Sequence, residues 1–123
     1  MTDRFAARRG VLAALPLLLL PLGPAKAHAI LEESDPPDRG RVKAGAVVFR
    51  LRFNSRIDRA RSRLTLTGPG GAKAVVAIEA EGAPDIVAAK AVLTPGAYVL
   101  RWQVLAVDGH ITRGDVAFVA VER

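Results

Sequence analysis

Apolar and polar residues alternate along most of this 123-residue chain, and a period of two restricts it largely to β-strands. Every second residue is apolar from Val47 to Phe53 and again from Tyr98 to Val104. Successive side chains of a strand point to opposite faces of its sheet, so these segments bury one face and expose the other. No segment has the spacing of a convincing amphipathic helix, and only residues 57–63 are consistent with a short helical turn.

Turn signals divide the alternating stretches into about seven short strands. Gly68-Pro69-Gly70-Gly71, Thr94-Pro95-Gly96 and Asp108-Gly109 are typical of turns. The predicted strands are 29–32, 47–53, 63–67, 75–80, 86–93, 98–104 and 115–121. This pattern predicts an all-β fold, an antiparallel Greek-key β-sandwich of two sheets. Tyr98 enters a late strand just after a turn and resembles the tyrosine corner of immunoglobulin-like sandwiches, whereas Trp102 is predicted to lie in the core.

The first 27 residues have the features of a cleavable export signal. A basic start contains Arg8-Arg9, and the apolar run 11–22 that follows is shorter than the roughly 20 residues of a membrane span. Ala25-Lys26-Ala27 is the small-x-small pattern that signal peptidase recognises. We therefore predict a signal peptide at 1–27 and one mature domain at 28–123, exported to the periplasm. The paired arginines also resemble a twin-arginine signal, so both Sec and twin-arginine export stay open.

Composition excludes several classes of protein. The chain has no cysteine and can form no disulfide, so its stability must come from a packed core. The leader contains four basic residues and one acidic residue, and its removal lowers the net charge from +6 to +3. An exported domain with few aromatic residues is not expected to bind nucleic acid. Six arginines between Arg50 and Arg63 occupy outward-facing positions, which indicates a solvated strand face or a surface for an acidic partner.

The two histidines of the chain form a candidate metal site with a nearby aspartate. Cleavage would leave His28 with two nitrogen donors, its ring and an α-amine whose ordinary pKa is about 7.7–8, low enough for a metal to displace the proton. His110 adds a third nitrogen, and Asp108, two residues earlier, adds an oxygen. Three nitrogens and one carboxylate suit the tetragonal geometry of Cu(II), although zinc and nickel share these ligand preferences. Soft Cu(I) favours sulfur, and the only methionine is Met1 in the predicted leader.

The same residues carry a family resemblance. His28-Ala29-x-Leu31-x-x-Ser34-x-Pro36 after a signal peptide, and Leu51-Arg52-Phe53-Asn54 in the next strand, resemble CopC-type periplasmic copper-binding proteins. The ending is similar in more detail, with the motifs Leu93-Thr94-Pro95-Gly96-Ala97-Tyr98-x-Leu100-x-Trp102, Asp108-Gly109-His110 and Gly114-Asp115-Val116-Ala117-Phe118.

The resemblance implies an immunoglobulin- or cupredoxin-like sandwich that binds one Cu(II) ion and is not an enzyme. Its implied ligands are His28, through amine and ring, Asp108 and His110. A role in copper tolerance, homeostasis or delivery follows, with an inner-membrane copper transporter as partner and a monomer favoured. Ser55 and Arg56 stand where some relatives have a glutamate, so no acidic contribution is expected there.

Two other functions are compatible with the residues. An N-terminal histidine beside a second histidine resembles the histidine brace of copper monooxygenases. An aspartate ligand, however, would fill the open position that such an enzyme needs, and no aromatic platform for a polysaccharide is visible. The other alternative is an interaction sandwich that binds no metal, which predicts no rise in melting temperature with copper.

Overall fold

The computed structural model describes residues 28–122, which form two β-sheets packed face to face. The predicted leader lies outside the described residues. The eight strands are β1 (Leu31–Asp35), β2 (Gly40–Lys43), β3 (Gly45–Phe53), β4 (Ile57–Thr67), β5 (Lys73–Val76), β6 (Ile86–Leu93), β7 (Gly96–Ala106) and β8 (Ile111–Val121). The predicted all-β sandwich is confirmed. Residues 28–122 include no helix with the length and hydropathy needed to cross a bilayer.

The strands divide into a three-stranded sheet, in the order β1-β3-β6, and a five-stranded sheet, in the order β2-β8-β7-β4-β5. Neighbouring strands are antiparallel except β2, which pairs with β8 in parallel. The predicted antiparallel sandwich therefore has one parallel pair, at this edge. A hairpin turn forces its two strands to be antiparallel, but β2 is far from β8 in sequence and no hairpin links them.

The predicted helical turn at 57–63 is wrong, because these residues belong to β4. The pairing of β4 with β7 is interrupted between Asp58 and Arg63, where β4 bulges out. Within the bulge, the Ser62 hydroxyl donates to the Asp58 carbonyl at 2.7 Å and accepts a hydrogen bond from Leu105 N at 3.0 Å. Side-chain contacts thus replace the missing ladder hydrogen bonds, and the local turn has helix-like spacing inside a strand.

Aromatic contacts join the two sheets. On β3, every second side chain is buried, as the alternation predicts. The Phe49 ring lies 5.7 Å from that of Phe118 on β8, between centroids. Phe53 meets Trp102 on β7 edge to face, with centroids 5.2 Å apart. Because each pair spans the two sheets, β3 fixes their separation over most of its length.

Tyr98 and Trp102 take the places that the sequence predicts. The Tyr98 hydroxyl donates to the backbone carbonyl of Thr94 at 2.8 Å, which confirms the tyrosine corner. Its ring stacks on Phe118, with centroids 5.6 Å apart. Trp102 is buried in the core, and among residues 28–122 its indole N–H has no hydrogen-bond partner. Both residues therefore contribute packing to the sandwich.

Gly114→Ala is expected to destabilise the sandwich through a clash with Trp102. Gly114 pairs with Trp102 across β7 and β8, and a Cβ at this position would lie 2.3 Å from Trp102 Cζ2. Such overpacking costs about 1–3 kcal/mol of unfolding free energy, measurable by urea denaturation. The same substitution in a Trp102→Phe background should cost less, because the clashing atoms are gone. An equal cost in both backgrounds would contradict the explanation.

Candidate metal centre

Hydrogen bonds from both sheets hold the residues that follow His28. The Ala29 carbonyl accepts a hydrogen bond from Thr112 Oγ1 at 3.0 Å, near the start of β8. Ile30 N donates to Asn54 Oδ1 at 2.8 Å, and Asn54 N, just after β3, donates to the Ile30 carbonyl at 3.0 Å. Ala29 is buried. Since Asn54 directly follows β3 and Thr112 lies on β8, strands of different sheets, the two side chains fix the approach of His28 to this end of the sandwich.

The loop between β7 and β8 lies at the same end and carries the other two candidate ligands. Ala106 N donates to the His110 carbonyl, and Gly109 N donates to the Ala106 carbonyl, both at 2.9 Å. Gly109 has φ of 95°, a left-handed conformation that glycine adopts without a steric cost. Val107 N donates to the Arg56 carbonyl at 3.1 Å, so the loop before β4 braces the turn.

Asp108 and His110 are already in contact within this turn. The backbone N–H of His110 donates to Asp108 Oδ1 at 3.1 Å, and the same oxygen lies 3.3 Å from His110 Nδ1. The backbone hydrogen bond is the main cause that lowers the pKa of Asp108 below its ordinary value, and the rings of His110 and His28 act in the same direction. The carboxylate is therefore held charged at neutral pH. The contact at Nδ1 leaves His110 Nε2 available to a metal ion.

The structure brings His28 to His110. Their ring centroids are 5.2 Å apart and the ring planes are nearly perpendicular, at 85°. All three candidate ligands are exposed, so an ion can reach them from solvent. No group of three His, Cys, Asp or Glu side chains within residues 28–122 is arranged to hold a metal ion directly. The two rings meet edge to face, so binding a shared ion requires side-chain rotation.

The structure thus places His28, Asp108 and His110 together, at one end of the sandwich. Sequence reasoning missed Asn54 and Thr112, which position the segment next to His28. The signal for Thr112 is its place two residues after His110, which puts it on the inward side of β8. Asn54 belongs to a recognised strand motif, but the sequence does not show which backbone group it contacts.

Comparisons with known proteins agree with this architecture. The CopC domain family profile matches residues 31–121. Protein YobA of Escherichia coli strain K12 is 30% identical over 96 residues, which cover 75% of this chain and 77% of YobA.

Two solved structures are also similar. CopC from Methylosinus trichosporium OB3b has a TM-score of 0.67 and 26% identity, and the match covers 76% of this chain and 93% of that protein. PcoC, a methionine-rich copper resistance protein from Escherichia coli, has a TM-score of 0.62 and 27% identity, with coverage of 77% and 100%. The profile match over most of the chain shows that it belongs to the CopC domain family.

Proposed function

We propose that this chain is an exported, periplasmic Cu(II)-binding protein that serves copper tolerance, homeostasis or delivery. The observation that carries the proposal is the contact between its two histidine rings, 5.2 Å apart between centroids. The chain has only two histidines, and they meet beside the carboxylate of Asp108. The similarity to CopC and to the copper resistance protein PcoC supports copper as the ion.

The donors proposed for one Cu(II) ion are the amine and ring of His28, the ring of His110 and the carboxylate of Asp108. Nitrogen and carboxylate donors in this number suit the tetragonal preference of Cu(II). PcoC is described as methionine-rich, whereas the single methionine of this chain is Met1. We therefore propose a Cu(II) site alone, without the thioether ligands that Cu(I) prefers.

Carriage is favoured over oxidative catalysis by the position of Asp108. Its Oδ1 lies 3.3 Å from His110 Nδ1, so a carboxylate stands beside the proposed donor rings and would have to leave this contact to bind an ion held by His110 Nε2. Once bound, a carboxylate stabilises Cu(II) and occupies a coordination position that dioxygen would need. The proposed role is to hold the ion and pass it on, with an inner-membrane copper transporter as the proposed recipient or donor.

A free amine at His28 is expected to be necessary for tight binding. The mature chain, beginning at His28, should bind one Cu(II), whereas a chain that keeps Ala27 should bind at least about 100-fold more weakly, because an amide nitrogen replaces a donor amine. Native mass spectrometry gives the stoichiometry, and competition titration against a chelator gives the affinity.

The extended chain is also its own folding control. Ala29 and Ile30 keep their hydrogen bonds to Thr112 and Asn54 in either form, so both should melt at the same temperature without copper. If both forms bind one Cu(II) with equal affinity, the amine is not a ligand and the proposed donor set is overturned.

A further inference from the structure

The arginine-rich segment between Arg50 and Arg63 is divided between the two faces of the sandwich. Arg50 and Arg52 lie on the outer face of the three-stranded sheet, where they pair in register with Asp35 and Glu33 of β1. Arg52 forms ion pairs with Glu32 at 2.6 Å and with Glu33 at 3.2 Å. The positive charge of this face is therefore largely balanced by carboxylates of the same chain.

The outer face of the five-stranded sheet is not balanced in this way. Alternation along its strands turns six basic side chains outward, and all six are exposed. These residues, which we call the cationic face, are Arg41, Lys43, Arg63, Lys73, Arg101 and Arg113. Asp115 shares the face and pairs with Arg101 at 3.0 Å, and Asp58, in register with Leu105 on the same side, pairs with Arg61 at 3.4 Å. Within residues 28–122, none of the other five has an acidic partner in an ion pair.

The centre of the cationic face is apolar and recessed. Val99 and Val119 are 37% and 42% exposed there. One recess of about 430 Å³ is lined by both valines together with Arg39, Ala97 and Ala117. A second, of about 270 Å³, is lined by Val99 with Thr65, Lys73, Arg101 and Asp115. Protein–protein interfaces typically have an apolar centre, a polar rim and many arginines, and the cationic face has all three features.

We infer that the cationic face is a docking surface for an acidic protein surface that also presents apolar side chains. Guanidinium groups bind carboxylates with two parallel hydrogen bonds, so they suit acidic side chains. The recesses can accept apolar side chains between those carboxylates. An anionic bilayer is a poorer fit, because faces that enter a membrane are rich in Trp, Phe or Leu, whereas the centre of this face presents valines and threonines.

The inference does not depend on the proposed copper function, because none of the six cations is a proposed ligand. It does place a docked partner close to the metal-binding turn. Arg113 lies on β8, three residues after His110. Its Nε donates a hydrogen bond to Gln103 Oε1 on β7 at 2.8 Å. Arg63 on the neighbouring strand β4 is in register with Gln103. The cationic face therefore extends to the end of the sandwich that carries the candidate site.

The test is a titration of the isotope-labelled mature protein, followed by NMR. The probe is a capped peptide of glutamates interspersed with leucines, and a lysine–leucine peptide of equal length is the matched control ligand. Shift changes are expected at Val99, Arg101 and Val119, with none from the lysine peptide. Arg63→Gln with Lys73→Gln should weaken binding about fivefold, since exposed charge pairs each contribute modestly.

Arg50→Gln with Lys90→Gln removes the same charge from the other sheet and should leave the peptide affinity unchanged. Copper binding should be equal in both double variants, which separates this inference from the proposed function. Equal weakening by both double variants, shift changes away from the five-stranded sheet, or binding to phosphatidylglycerol vesicles but not to the peptide would each overturn the inference.

Discussion

His110→Ala is expected to abolish stoichiometric Cu(II) binding while the sandwich stays folded. The substitution removes one nitrogen donor and the ring that faces His28 at 5.2 Å. Loss of a group that merely orients a ligand costs 10–100-fold in metal affinity, so loss of the ligand should cost more than about 100-fold. Chelator competition measures the affinity, and the rise of melting temperature on adding Cu(II), expected by mass action for the mature protein, should disappear.

The fold should tolerate this change because the turn depends on backbone groups. The His110 carbonyl accepts from Ala106 N, and alanine keeps that bond. Asp108→Asn is the companion variant, since an amide oxygen can still accept from His110 N while the charge is lost. Its affinity should fall between those of the mature protein and His110→Ala. Glu79→Gln removes an exposed charge elsewhere and is the matched control. A His110→Ala protein that still binds one Cu(II) tightly would exclude the site.

Phe53→Ala is expected to lower the free energy of unfolding by about 3–5 kcal/mol, the usual cost of deleting a buried aromatic ring. Phe53 is 1% exposed, and its ring contacts Trp102 across the two sheets. A domain of this size has about 5–15 kcal/mol to lose, so the variant should be marginal. Its melting temperature should fall by more than about 12 °C.

Val48→Ala on the same strand provides the control, because Val48 is 56% exposed. Its unfolding free energy should change by no more than about 0.5 kcal/mol. Urea denaturation of both variants, followed through the fluorescence of Trp102, gives the two values from one probe. A Phe53→Ala protein as stable as Val48→Ala would show that the contact between the sheets is dispensable.

Long strands with one buried face were predictable because burial imposes a period of two on their side chains. Val47 to Phe53 and Tyr98 to Val104 lie within β3 and β7, which extend a few residues further. β2 was not predicted, since four residues are too few to establish a period, and its parallel partner β8 is distant in sequence. The helical turn predicted at 57–63 was wrong because the bulge between Asp58 and Arg63 interrupts the period of two by which a strand is recognised.

The candidate ligands could be selected from sequence because histidine is scarce in this chain and a predicted cleavage site precedes one of the two. Their meeting could not be derived, since it depends on contacts between distant residues. Thr112 reaches the carbonyl of Ala29 across 83 positions of the chain, and Asn54 reaches Ile30 across 24. No local pattern encodes such distances, which follow only from the pairing of the strands.

The candidate site has two parts that differ in how easily they separate from the fold: the turn with Asp108 and His110, and His28, which depends on the hydrogen bonds to Ala29 and Ile30. Asp108 and His110 lie in one turn and stay neighbours for as long as the turn persists. His28 joins them only while Thr112 on β8 and Asn54 just after β3 hold the adjoining residues. Opening of this end of the sandwich would remove the amine and one ring together. The residence time of a bound ion would then be set by how often this end of the protein opens, so mutations that loosen it should speed release even where every ligand is intact.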